Sequence, residues 1–339
     1  MLIRRLLALA VAIGLVLGAW QVRARLLEPS GAAAAPDDLR VACARELAAV
    51  CDALDTSSPA LVEEARTTVE RFAEPDLPFD VWLTLAPWPE LGAAARARAN
   101  QPELAEHPTA VVARSPVILA AHSDRITAME DACDGAVTWR CLGDQAGVPW
   151  VDRGGEPGWG RVKVGLDSPS DRAVGLLTLL QVTSSYFDGA DFNTRSLESP
   201  DYFAWISNLA ARADAPVDQT PLERMLLTGS AELEFVGVLE ATAVSLLERA
   251  PGRAGQIVLR RPEPVVTADV VAVGYGAGAQ AAAAEIAAQA AGPLADAGWR
   301  VAGVAQPSEL ETAALPENNG VPSAAVLEAL QRTWDEVTP

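Results

Sequence analysis

The residue types most suited to chemistry in this sequence gather where an apolar, β-prone run gives way to a helical one. Asp167-Ser168-Pro169-Ser170-Asp171 follows the run Arg161–Leu166 and precedes a long apolar stretch. Hydroxyls, a proline and an acid in that order start a helix. The free N–H groups of a helix start also suit an anion or a polar ligand. Ser168 and Ser170 are therefore candidate ligand contacts, with plain helix capping as the rival reading. Glu240-Ala241-Thr242 sits at a second strand-to-helix junction, and ligands of open α/β sheets bind at the carboxyl ends of strands. Ser115-Pro116 ends a β-prone run. Trp82 and Thr84 share one face of a strand, and Trp88 lies just beyond its end, where an indole can stack on a ligand or simply fill a core.

Other constellations carry less. Gly274-Tyr-Gly276-Ala-Gly278-Ala279 with Asp296 matches a dinucleotide fingerprint in form. That motif opens a βαβ unit, and too little chain follows here to build one, so a glycine-rich turn is the expected reading. His122-Ser123-Asp124 is adjacency in sequence, whereas catalytic partners converge in space. There is no G-x-S-x-G elbow, Walker loop, H-E-x-x-H or C-x-x-C. His107 and His122 have no second His or Cys at metal-ligand spacing. Neither catalysis, a cofactor nor a metal is expected.

The elements needed to position these residues alternate. Strands are expected at Leu39–Cys43, Phe79–Leu85, within Thr109–Ala120, at Arg161–Leu166, Leu233–Leu239, Ile257–Arg260, Val270–Val273 and Arg300–Val304. Helices are expected at Arg45–Leu54, 90–99, Ile126–Ala132, from 167 to Phe187, Tyr202–Ala213, Pro221–Leu227, from Glu240 to Arg249, Gln280–Ala297 and Ser323–Glu336. Residues 62–70 read equally as strand or helix, and 143–160 and 306–324 as loops. The alternation predicts an open α/β sheet, paired in parallel and covered on both faces.

Of 339 residues, 50% are hydrophobic and the formal net charge is −19. So acidic a surface is a poor partner for nucleic acid. Leu6 to Val22 carries no charge and lies between Arg4-Arg5 and Arg23, Arg25. This is the lower limit of a membrane span, with a basic cytoplasmic flank. A cleaved signal peptide is the alternative, but the small residues Ala32–Ala35 lie well past the apolar run. An uncleaved anchor over 1–27, a linker over 28–36 and export of residues 37–339 across the cell membrane are expected. Export gives the four cysteines meaning. Cys43/Cys51 and Cys133/Cys141 are each eight residues apart. Three connectivities exist. Short-loop pairing is favoured and requires Cys43 to lie before its helix and the helix between Cys133 and Cys141 to break, since eight residues of helix span about 12 Å.

Several segments resemble, in order, the bacterial extracellular solute-binding proteins of the type II periplasmic-binding fold. They are Leu39-Arg-Val-Ala-Cys-Ala, Asp80-Val-Trp-Leu with Trp88, Arg114-Ser-Pro-Val-Ile-Leu-Ala, Gly158 to Ser170, Phe235–Glu240 and Ala297-Gly-Trp-Arg300. More closely they are similar to the substrate-binding region of actinobacterial membrane proteins that often carry a von Willebrand factor A domain. The D-x-S-x-S motif of that second domain is not matched, because Asp167-Ser-Pro-Ser170 has different spacing. The resemblance implies two lobes, 37–117 with 265–339 and 118–264, joined by crossings near 115–122 and 260–267. It implies ligand contacts at Arg45, Thr84, Trp88, Ser115, Ser168, Ser170 and Glu240. The implied role is capture of a small polar solute for an ABC-type transporter or a sensor, with a ligand-free interaction module as the alternative and an extracellular enzyme as a minor one.

Overall fold

A computed structural model describes residues 39–189, 191–210, 219–304, 314–317 and 320–338. The expected anchor at 6–22 and linker at 28–36 lie outside the described residues, as does part of the expected loop at 306–324. Among the described residues, no helix is long and apolar enough to cross a membrane.

The chain starts with β1 (Val41–Ala44), a 3-10 turn at Arg45–Leu47, α1 (Ala48–Cys51), β2 (Leu61–Glu63), α2 (Ala65–Arg71), β3 (Val81–Ala86) and α3 (Trp88–Arg98). β4 (Glu106–Pro108) and the ten-residue β5 (Ala113–His122) follow, then α4 (Ser123–Ala132), α5 (Trp139–Gln145) and β6 (Val164–Gly165). Four helices come next: α6 (Ala173–Tyr186), α7 (Thr194–Leu197), α8 (Pro200–Ala210) and α9 (Pro221–Thr228). The chain continues through β7 (Phe235–Leu239), α10 (Glu240–Arg249), α11 (Pro251–Ala254), β8 (Ile257–Arg260) and β9 (Thr267–Tyr275). It closes with α12 (Ala279–Asp296), β10 (Arg300–Val301) and α13 (Ala324–Val337).

The strands join in the order β2-β1-β3-β9-β5-β7-β6, with β4, β8 and β10 paired at the sides. The all-parallel expectation is corrected. β1 is parallel to β2 and β3, and β6 to β7, but β9 is antiparallel to β3 and β5, and β5 antiparallel to β7 and β8. The cause lies in β5 and β9, long strands that run in opposite directions through the middle of the path. β5 changes partner at Pro116: residues 113–116 pair with β9 and residues 117–121 with β7. Proline donates no ladder hydrogen bond, so it sits where one ladder ends.

Residues 62–70 resolve as both readings in turn, three residues of β2 and then α2. The helix expected from Arg45 shrinks to a 3-10 turn and one helical turn. A disulfide joins Cys43 in β1 to Cys51 at the end of α1, with Cα atoms 6.5 Å apart. A second disulfide joins Cys133 to Cys141, Cα atoms 5.9 Å apart, across Asp134 and Gly135, both at positive φ. That break separates α4 from α5. The expected strand at 161–166 contributes only two ladder residues. The glycine run near 274–278 is a turn after an antiparallel strand: Gly276 (φ 91°) and Gly278 (φ 82°) occupy backbone that favours glycine. Tyr275, just ahead of Gly276, packs edge-on against Phe72 and Phe79.

One apolar cluster runs continuously through Val41, Trp82, Val117, Leu177, Val270 and Leu327. A smaller one holds Ile118, Leu222, Met225 and Val236 beneath α9. Helix α13 lies against α7, α8 and α6 on one side and α3 on the other. An Arg98–Glu328 ion pair ties it to α3.

Candidate functional site: an acidic cleft at the strand tips

A cleft of about 420 Å³ opens at the carboxyl ends of the parallel strands. Arg45 and Glu46 follow β1, Glu64 follows β2, Asp167 follows β6, and Leu239 ends β7. Arg172 and Val174 come from the start of α6, Thr220 to Glu223 from the start of α9, and Thr242 from the first turn of α10. β2 and β6 stand at opposite ends of the hydrogen-bonded path, yet both reach this cleft. The path therefore folds back through β9 and β5, and the cleft is the gap between its halves. Strand tips facing a crevice are where open α/β folds bind ligands.

The charges of the cleft are largely paired with one another. Arg45 Nε stands 2.5 Å from a Glu64 oxygen. Arg172 reaches Asp167 at 3.4 Å and Glu64 at 3.9 Å. Glu223 belongs to the capping box of α9, accepting from the Thr220 N–H and hydroxyl. Glu46 accepts from the N–H groups of Ala173 (2.7 Å) and Val174 (3.4 Å), the first two residues of α6. A residue of the β1 turn thus supplies the negative charge that the dipole of α6 favours. Burial, with Glu64 as a neighbouring like charge, holds the Glu46 carboxyl above the usual carboxylate range. Burial also lifts Asp167 from 3.8 to about 6, against the pull of Arg172 and with Glu46 adding to the rise.

Asp167 carries a testable sign. A carboxyl raised in the folded state keeps its proton through a range where the unfolded chain has lost it, so stability falls as pH rises from about 4 to about 6. A two-unit shift on a side chain only 4% exposed corresponds to about 3 kcal/mol. Wild type is expected to lose about 2–3 kcal/mol more than Asp167→Asn between pH 4 and pH 7, read from urea midpoints. Parallel pH profiles would refute this environment for Asp167.

The structure distributes the sequence-predicted contacts unevenly. Arg45 lines the cleft. Ser168 is next to it, but its hydroxyl donates to Asp171 (2.7 Å). Helix α6 begins only at Ala173, so the reading of 167–171 as the helix start is corrected. Arg172 is the N-cap without a side-chain cap bond, and Glu46 does the capping from a distant segment. Ser170 donates to Asp335 of α13 (2.6 Å), and Trp88 is 1% exposed; both border a second cavity of about 440 Å³ between α2, α3 and α13. Thr84 is fully buried mid-sheet. Ser115 is buried and accepts the N–H of Ala241 (3.1 Å), at the start of α10. Glu240 is buried and receives Arg300 through two hydrogen bonds of 2.8 and 2.9 Å.

Sequence reasoning missed Glu46, Glu64, Arg172, Thr220, Glu223 and Thr242 as lining residues. Glu46 and Glu64 do carry a signal, since Glu46 lies two residues past the buried β1 and Glu64 directly follows the half-buried β2. Thr220 and Glu223 carry the capping-box signature, which marks a helix start and says nothing of what it faces.

This architecture, an α/β fold in two halves linked through crossing strands with a cleft at the strand tips, defines the two-lobed fold of the periplasmic-binding type. No family model matches the chain, and no curated protein matches it in sequence. Solved structures do share its fold. Apo ferric ion-binding protein A of Pasteurella haemolytica is similar with a TM-score of 0.59 at 13% identity, covering 88% of this chain and 98% of its own. The ferric binding protein from Campylobacter jejuni gives 0.59 at 10% identity over 88% and 99% of the two chains. Apo FutA2 from Synechocystis PCC6803 gives 0.56 at 14% identity over 88% and 98%. At such identities the likeness establishes the fold and leaves the ligand to the chain's own residues.

Proposed function

We propose that this chain is an extracytoplasmic solute-binding protein, tethered to the cell membrane through residues 6–22, that captures a small polar solute for a transporter or sensor. The observation that carries this reading is the 420 Å³ cleft lined by strand tips and helix starts from both ends of the sheet path. Its size suits a small molecule. Arg45 and Thr242 offer donors there, Glu64 and Asp167 acceptors, and Val174, Leu222 and Val238 an apolar wall. The fold's likeness to solute-binding proteins supports capture over catalysis. We assign the lobes as 37–117 with 265–339 and 118–264, with β5 and the 260–267 segment crossing between them.

One observation favours a second reading, an interaction module that kept the fold. The start of α6 is already filled by the chain's own Glu46. Trp88 and Trp159, two aromatic side chains able to plug a cleft, do not do so: Trp88 is buried at the start of α3, and Trp159 lies over Arg125, 3.6 Å from ring centroid to guanidinium carbon. Native mass spectrometry of the full chain, purified from its host in mild detergent, decides between them. Capture predicts a co-purifying small molecule in one-to-one ratio. An empty protein with no thermal shift across a metabolite panel would overturn capture and favour the module.

A further inference from the structure

We propose that the cleft selects a small organic cation, an ammonium or guanidinium group on a short aliphatic body, held by Glu46 and Glu64. This rests on the capture reading and adds the ligand's charge and donor chemistry.

The first observation is charge. The lining carries four carboxylates, Glu46, Glu64, Asp167 and Glu223, against two guanidinium groups, Arg45 and Arg172. Both arginines already face carboxylates of the same cleft, Arg45 on Glu64 and Arg172 on Asp167. The start of α6, the other feature suited to an anion, is filled by Glu46. An anionic ligand would have to displace these partners and enter a cleft with excess negative charge, at a cost from both desolvation and repulsion.

The second observation is unmet hydrogen-bonding capacity. Glu46 Oε2 and Glu64 Oε2 are both buried and accept no hydrogen bond, while each carboxylate's other oxygen is engaged. Arg172 Nε stands 3.9 Å from Glu64 Oε2, beyond hydrogen-bond reach. The two side chains are close enough for Glu64 to raise the Glu46 carboxyl. Buried acceptors without donors are costly and uncommon in folded proteins. An N–H-bearing cation placed between them satisfies both and relieves their mutual repulsion. A neutral polyol brings donors but no charge, and a quaternary ammonium brings charge but no donors. A bare metal ion fits less well, because the described residues contain no cluster of three or more His, Cys, Asp or Glu arranged to hold one. The apolar wall of Val174, Pro221, Leu222 and Val238 accommodates the methylenes of the body.

The test is calorimetric titration of the full chain in detergent with 1,4-diaminobutane, agmatine, choline, succinate and ribose. The first two are expected to bind one-to-one, and choline at least about tenfold more weakly, the worth of charge-assisted hydrogen bonds. Glu64→Gln and Glu46→Gln are each expected to weaken the diamine by about tenfold or more. Glu130→Gln, the same charge change on a surface carboxylate away from the cleft, should leave affinity unaltered, separating the local site from the pull of the −19 net charge. Equal losses in all three variants would overturn the assignment to Glu46 and Glu64. Binding of succinate or ribose with none of the amines would overturn the cation inference and leave capture standing. So would a co-purified ligand without a cationic N–H group. An empty protein that binds nothing overturns both readings.

Discussion

Glu234→Gln is expected to destabilise the protein by about 3–5 kcal/mol. Glu234 precedes β7 and is fully buried. Its carboxylate accepts from Arg125 Nε (2.9 Å), Trp150 Nε1 (2.9 Å) and the Lys163 N–H (3.0 Å), with Lys163 Nζ at 3.7 Å. One side chain thereby ties α4, the 3-10 turn at 150–153, the approach to β6 and the start of β7. Burial pushes the carboxyl up, while Trp150, Lys163 and Arg125 hold it down. Glutamine removes the charge and turns an acceptor into an NH₂ that confronts other donors. Arg125 keeps Asp124 at 2.6 Å, so the loss falls mainly on the buried side of the node. Urea unfolding followed by tryptophan fluorescence reads the change. A loss below about 1 kcal/mol would show that the node is not the keystone its geometry suggests.

Gly175→Ala is expected to destabilise by about 2 kcal/mol and to weaken ligand binding, although alanine is the better helix former by about 1 kcal/mol. Gly175 is the third residue of α6. A methyl there would overlap the Ser168 carbonyl oxygen and stand 2.9 Å from that of Asp167. Backbone cannot swing aside as a long side chain can, so the 167–171 segment must move. That segment carries Asp167 into the cleft and is anchored on other elements: the Arg66 N–H donates to the Asp171 carbonyl (3.3 Å), and Gln331 to that of Pro169 (3.1 Å). The internal comparison is Gly292→Ala in α12, where an added Cβ meets nothing within 4 Å beyond its chain neighbours. Pro293 follows it and disfavours a Cβ before it in a helix, which offsets the propensity gain of about 1 kcal/mol and leaves a change near zero. If Gly175→Ala were equally mild, the close approach of α6 to this segment would be wrong.

The strands and helices were legible because their patterns are local. The apolar run Phe79–Leu85 and the proline-led starts of the helices expected at 90–99 and Pro221–Leu227 each act over a few residues. The lone lysine, Lys163, held no readable message, because its ammonium acts on the Ser230 carbonyl (3.0 Å) and on Glu234 (3.7 Å), both far along the chain. Ser168 and Ser170 looked like helix caps because hydroxyls at such a junction commonly are. Their bonds to Asp171 and Asp335 and the later start of α6 follow from what Glu46 and α13 bring to the same place. Glu240 was correctly placed at a junction, whereas Ser115, read as ending a β run, lies inside β5, which continues to His122; whether either faces a ligand or another element depends on its surroundings, and Ser115 met Ala241 and Glu240 met Arg300.

By itself the sequence determined the alternating α/β order, the need for Cys43 to precede its helix and for the helix between Cys133 and Cys141 to break, and the junctions where chemistry could sit. These rest on periodicity, reach and capping, all short-range. Only the tertiary structure decided that the central strands run antiparallel, that four carboxylates and two arginines share one cleft, and that Glu46 rather than a serine closes the start of α6. Those outcomes depend on segments more than a hundred residues apart meeting in a buried setting, where the strength and pairing of charges are set by neighbours that no local pattern encodes.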